Sequence, residues 1–251
     1  MKTETVFNAR QNAVARQPEE SNPHIAGKLT IFTAAKDAHA TSMQALKEID
    51  TSIERCKQER QAALEESTQA EQDWRSRFRS RFRSLRGNLT PEMKAEHGRR
   101  IASRELADEF TGLIAELEND RKRAMLGACT TGNKYRAAYD DALSTYAGAQ
   151  WSQALAAVPA TLVRAFVLRT RSLEMKGEAS PQSAALAELR DVLSRLGSEY
   201  QFDMTQEPVL SVTGMHRPHL AGVDTELLNS PAKRMMLAKA LAENSGTKAE
   251  A

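Results

Sequence analysis

Residues 46–74 read LKEIDTSIERCKQERQAALEESTQAEQDW, and this stretch decides the fold. Leu46, Ile49, Ile53, Cys56, Arg60, Ala63, Ser67, Ala70 and Trp74 follow one another in alternating steps of three and four. That spacing is the seam of a coiled coil, interrupted by two polar residues, Arg60 and Ser67. A strand would need alternation in steps of two, and no such pattern persists beyond four residues anywhere in the chain. The class expected is therefore all-α.

Working outward, the eight prolines set the limits of the helices, because proline removes a backbone hydrogen bond and clashes with the preceding turn. None falls in 24–90 or in 92–158. Between these windows lies Gly87-Asn88-Leu89-Thr90-Pro91-Glu92. There Gly87 suits a helix C-terminus, Thr90 an N-cap and Pro91 the first helical position. The two windows thus read as an antiparallel coiled-coil hairpin over 24–158. In the second, Leu106, Phe110, Leu113, Leu117 and Ala124 are followed by Tyr135, Ala138, Ala142, Tyr146 and Ala149. The pattern resumes in phase beyond Gly127 and Thr130-Thr131-Gly132-Asn133, so one continuous helix is expected, roughly 100 Å long at 1.5 Å per residue.

Past Pro159, Leu162, Val163, Phe166, Val167 and Leu168 mark a shorter helix ending at Gly177. Ser180-Pro181 restarts another, which Gly197 closes. Residues 198–229 carry Pro208, Gly214, Pro218 and Gly222 around Val209-Leu210-Ser211-Val212, and read as an ordered loop or arm. Ser230-Pro231 caps a last helix. The expected organisation is a flexible extension over 1–23, the hairpin over 24–158, and short helices with an extended arm over 159–251.

The whole chain has 251 residues, 41% hydrophobic and 27% charged, with a net charge of +2. No apolar run approaches the roughly 20 residues of a membrane span, so no membrane association is expected. Cys56 and Cys129 are far apart, with no metal-ligand spacing around them. His216-Arg217-Pro218-His219 places a proline between its imidazoles, which disfavours a helical chelate. No phosphate-binding loop, nucleophile elbow or HExxH is present. Neither enzyme activity nor a cofactor or metal is expected.

Charge is unevenly spread: eight acidic and four basic residues over 45–73, then nine basic and two acidic over 75–100. Trp74 to Arg86, WRSRFRSRFRSLR, interleaves arginine with aromatics as a single-strand nucleic-acid surface does. Trp74, Phe78 and Phe82 fall four apart, however, and a packed helical stripe with arginines on its other face is the more economical reading. A basic coiled-coil nucleic-acid binder is retained only as a third reading.

The C-terminal third carries a resemblance. Pro208–Pro218 (PVLSVTGMHRP), Gly222-Val-Asp224 and Ser230–Ala242 (SPAKRMMLAKALA) together resemble the end of the polarity suppression (Psu) family of enterobacterial satellite phages. Gly214, Arg217, Pro218, Asp224, Pro231 and Met235 match its pattern. The resemblance implies an all-helical intertwined homodimer that decorates and stabilises the outside of a capsid, through the major capsid protein, and antagonises the host terminator Rho. It implies residence on the virion exterior, and in the bacterial cytoplasm during assembly. Asn229 stands where the family has phenylalanine, and Glu226 where it has arginine, positions tied to Rho antagonism. Capsid decoration is therefore the leading expectation, and inhibition of the Rho hexamer the alternative.

The partner-facing residues expected are Lys233, Arg234, Met235, Met236, Leu237, Lys239, Arg217 and Asn229. Three consecutive apolar residues on a short helix cannot all share one buried face. Leu46, Ile49, Ile53, Cys56, Trp74, Phe110, Leu113 and Leu117 are expected to build the coiled coil and the dimer. A rod that buries so little by itself predicts an obligate dimer. Sedimentation equilibrium at micromolar concentration should return about twice the chain mass; a folded monomer would exclude an intertwined architecture.

Overall fold

The computed structural model describes the backbone of residues 23–84 and 90–246 and the side chains of residues 23–75 and 90–243. Among the described residues there are seven helices and no strand: α1 (Pro23–Ser84), α2 (Pro91–Ala156), α3 (Ala160–Met175), α4 (Pro181–Glu199), α5 (Leu210–Thr213), α6 (Thr225–Asn229) and α7 (Pro231–Gly246). No single described helix is long and apolar enough to cross a membrane. Gly87, the residues before Pro23, and the side chains of Phe78, Phe82 and the arginines around them lie outside the described residues.

α2 is continuous, as its phase indicated. Its threonines do not break it because their hydroxyls turn back on the helix: Thr130 Oγ1 donates to the Leu126 carbonyl at 2.9 Å and Thr131 Oγ1 to that of Gly127 at 3.1 Å. The helix starts where the capping pattern placed it, with the Met93 N–H donating to Thr90 Oγ1 at 3.3 Å. α3 is followed by Gly177 in the left-handed region, φ 76°.

The chain divides into two compact units, one of Met1–Ala34 and Arg136–Pro218, the other of Ala35–Tyr135 and His219–Ala251. In the second unit α1 and α2 pair antiparallel, so descending positions on α1 meet ascending positions on α2. Trp74 stacks on His97 with centroids 5.4 Å apart, Ser103 Oγ donates to Glu66 at 3.0 Å, and Arg121 Nε donates to Asp50 at 2.5 Å. The α1 side of the seam is the one expected: Leu46, Ile53, Ala63 and Ser67 are buried, and Ile49, Cys56, Arg60, Ala70 and Trp74 are half-buried. The Arg60 Nε is buried without a hydrogen-bond partner. A polar layer of that kind weakens a seam while penalising slipped registers.

The α2 side differs from expectation. Its closed seam runs through Ser103, Ala107 and Ile114, with Phe110 and Leu117 half-buried, whereas Leu106 and Leu113 are 46% and 42% exposed. Leu106 and Leu113, first assigned to the seam, lie one position back around the helix from Ala107 and Ile114. The reason is steric: the small side chains of Ala107 and Ser103 let α1 approach, and the larger leucines flank the contact.

In the first unit, Phe32 meets Tyr139 at 6.3 Å and Lys28 pairs with Asp141 at 2.7 Å, again antiparallel. Residues 203–218 lie against this pair. Val209 and Leu210 are buried with Tyr146, packed by Ile25, Leu29, Leu143 and Met204. Tyr146 donates to Glu207 at 2.7 Å and Arg217 pairs with Asp140 at 2.6 Å. The Val209–Val212 piece, read from sequence as part of a loop, contains the short helix α5, whose carbonyl at Val209 accepts the Thr213 N–H at 2.9 Å. Four residues are too few to show a helical period. α3 and α4 form an adjoining pair tied by Arg169 to both oxygens of Glu188.

The register makes a sharp prediction. Ile114→Ala should lower stability by about 2–5 kcal/mol, whereas Leu113→Ala should cost well under half of that in the isolated chain, measured by urea unfolding. Equal losses would mean that the seam runs through Leu113 after all.

Candidate partner-binding surface

The last segment, 219–246, packs on α1 and α2 within the second unit. Leu220, Val223 and Leu228 close over Ala128 and Cys129, with Met43, Met125, Tyr135 and Leu227 around them. Asp224 caps α6, accepting from the N–H groups of Glu226 at 2.8 Å and Leu227 at 3.1 Å. The Asn133 amide donates to the Leu228 carbonyl at 3.2 Å. Ser230 then caps α7, its Oγ accepting the Lys233 N–H at 3.3 Å.

These anchors orient α7. Leu241 is buried, and Leu237 and Arg234 are half-buried on the same face, three and four residues apart. Met235 and Met236 turn outward, 74% and 73% exposed, and Lys239 is exposed beside them. The surface so formed is apolar, adaptable and rimmed by a cation.

Not every residue expected on this surface is free to serve it. Arg234 donates from Nη1 to the carbonyls of Leu227 at 2.7 Å and Leu228 at 2.6 Å. It therefore satisfies the open end of α6 instead of projecting to a partner. Lys233 pairs with Glu226, whose hydrogen bond raises the ammonium pKa above its ordinary value. Leu237 faces inward in part, and Asn229 is exposed at the end of α6. Arg217 belongs to the other unit, where its guanidinium pairs with Asp140. Of the α7 set, Met235, Met236 and Lys239 form the accessible face, Lys239 lying 3.8 Å from the exposed carboxylate of Glu243.

Sequence reasoning missed a second surface. Thr170 is the one buried residue of α3 and Ala185 that of α4, while Val163, Val167, Leu168, Leu186 and Leu193 are each more than half exposed. Periodicity shows which residues share a face, not whether the chain itself covers that face. No catalytic constellation accompanies either surface. The thiol of Cys129 is fully buried, and burial pushes its pKa up, so it is held as an unreactive thiol.

No protein-family model matches the chain. Glycoprotein 3 of Enterobacteria phage P4 is 32% identical to it over 209 residues, which is 80% of this chain and 84% of the phage protein. A chain from the solved "Satellite phage P4 procapsid including size determination (Sid) protein" superposes with a TM-score of 0.74 at 28% identity, covering 91% of this chain and 100% of that one.

Because Met235 and Met236 are largely exposed, the double variant Met235→Ser/Met236→Ser should melt within about 2–4 °C of the parent by calorimetry. A larger drop would place the pair in the packing of α7.

Proposed function

Since the chain belongs to the family of Glycoprotein 3 of Enterobacteria phage P4, we propose that it is a satellite-phage assembly protein that binds the outside of the procapsid shell and fixes its size. The observation that carries the reading is the fold shared, over 91% of this chain and 100% of the other, with a chain of the P4 procapsid at 28% identity. The physical chemistry is compatible with such a role. A protein that braces a shell needs a stiff element, and the antiparallel pairing of α1 with α2 within the second unit provides one. It also needs faces left apolar after folding, and there are two.

We assign the face of Met235, Met236 and Lys239 to the major capsid protein. An unbranched thioether adapts to an imperfect groove, and an exposed lysine adds attraction to an acidic lattice that salt would weaken. The α3–α4 face is assigned to further copies of the same chain, since an apolar patch beside the internal pairs Arg169–Glu188, Arg171–Glu174 and Arg190–Asp191 is suited to self-complementary contact. Copies joined through such faces would form a framework on the shell, as decoration of its exterior requires. Assembly would take place in the host cytoplasm and the product would be part of the virion.

The alternative, antagonism of Rho, is supported by the C-terminal resemblance alone. Glu226 reverses the charge of the arginine associated with that activity and is engaged by Lys233. The capsid reading is therefore preferred.

Co-expression of the shell protein with and without this chain, followed by electron microscopy and co-sedimentation, tests the proposal. Wild type should co-sediment with shells of reduced diameter. Met235→Ser/Met236→Ser should lose most of the co-sedimentation, an effect of about tenfold or more in affinity, while remaining folded. Binding without a change in diameter would leave decoration and remove size determination; failure of wild type to bind would overturn the proposal.

A further inference from the structure

We propose that His39 is a proton-sensitive latch for the C-terminal arm, residues 219–246, and that protonation of its imidazole in mildly acidic solution releases the arm and uncovers Cys129. The inference concerns this chain alone and holds whether or not the chain binds a shell.

The latch is built at one notch in α2. Gly132 lacks a side chain where Leu220 and His39 converge: a Cβ there would lie 2.8 Å from Leu220 Cδ1 and 3.4 Å from His39 Cε1. Leu220 and His39 therefore occupy the space that any other residue at 132 would fill. His39 is only 8% exposed, although it stands on α1 at a heptad position otherwise held by Leu46 and Ile53. Its ring stacks on Tyr135 with centroids 6.0 Å apart and an interplanar angle of 26°, and its Nδ1 lies 3.3 Å from Thr131 Oγ1.

The groups around the ring suit a neutral imidazole. From α2 come the Thr131 hydroxyl, the Tyr135 phenol, kept in its neutral form by burial, and the Ala128 carbonyl, which hydrogen-bonds the imidazole. From the arm comes Leu220. Cys129, also on α2, is held as a neutral thiol, and the arm's charged Asp224 and Arg234 act on that thiol with opposite sign. On α1 itself, Lys36 and Asp37 are exposed. Burial outweighs the Ala128 hydrogen bond and holds the imidazole below its ordinary value near 6.5.

The sign follows by linkage. A base whose pKa is depressed by packing binds fewer protons in the docked state than in the released one. Docking is at full strength above about pH 6.5 and is lost as pH falls from there through the lower docked value. The arm is what yields, because within this unit α1 and α2 are joined at successive levels by Asp50–Arg121, Glu66–Ser103 and Trp74–His97, whereas the arm is held by Leu220, Val223, Leu228, Leu241 and a few hydrogen bonds. Cys129, 0% exposed beneath these residues, is the natural reporter.

The full chain is treated with a dithiodipyridine, which modifies thiols even in acid, at pH 7.5 and at pH 5. Modification is read by mass on the peptide carrying Cys129, each rate divided by that of the urea-unfolded chain at the same pH. The relative rate should rise by about tenfold or more at the lower pH while helicity by circular dichroism is unchanged. In His39→Gln, which is neutral at both pH values, the rise should disappear. An unchanged rate in wild type, a rise accompanied by loss of helicity, or a rise that persists in His39→Gln overturns the latch. Should His39→Gln fail to fold at pH 7.5, the His39 ring is titrated by NMR in wild type. A midpoint coinciding with Cys129 exposure sustains the proposal, and a separate midpoint overturns it.

Discussion

The seam between α1 and α2 is the contact on which the other elements depend. A pair of helices closes only a narrow strip, so each position on it carries more of the stability than a residue in a globular core would. The strip is spaced at 3.5 residues and is lined on α1 by Leu46, Ile53 and Ala63 and on α2 by Ala107 and Ile114. Its small members allow close approach, and its polar members, Arg60, Ser67 and Ser103, penalise a shifted pairing. The Ser103 hydroxyl finds Glu66, whereas the Arg60 Nε finds no acceptor, so the seam gives up some stability where it defines register.

Both units add to the helical pair by the same means. In the first, Val209 and Leu210 are buried with Tyr146. In the second, Leu220, Val223 and Leu228 are buried against Ala128 and Cys129. In each case the added segment is irregular and supplies a few large aliphatic side chains, while α2 supplies alanines, a glycine or aromatic hydroxyls. Polar termini are satisfied locally, by Asp224 and Ser230 at helix starts and by Arg234 at a helix end. That is why the arm can be ordered with little regular structure.

Much of this was legible in the sequence, and the failures have physical causes. The α1 seam, the continuity of α2 and the starts of α2 and α7 follow from spacing and capping chemistry. The α2 seam was placed through Leu106 and Leu113 because hydrophobicity favours leucine, whereas the contact selects the smaller Ala107 and Ser103 at its closest approach. Arg234 was read as a partner-facing cation because a sequence does not show that two helix carbonyls lie within its reach. The stripe of α3 and α4 was read as two helices only, since a sequence carries no signal of what covers an apolar face. A C-terminal motif of about 40 residues suggested the polarity suppression family, while kinship over most of the chain is with Glycoprotein 3.

Val167, Leu168, Leu186 and Leu193 are costlier to leave in water than to cover, and Met235 and Met236 add to that cost. Their exposure contrasts with the seam positions Leu46, Ile53, Ala107 and Ile114, which are spent on the chain's own folding. Removing area from water at about 25 cal/mol per Å² makes association through such faces favourable even when each face is small. The gain is realised only when partners are present, so stability and assembly are linked by mass action. Apolar surface that the fold leaves uncovered in this way is buried only in company. An assembly built from such a chain would have its strength in the contacts between parts.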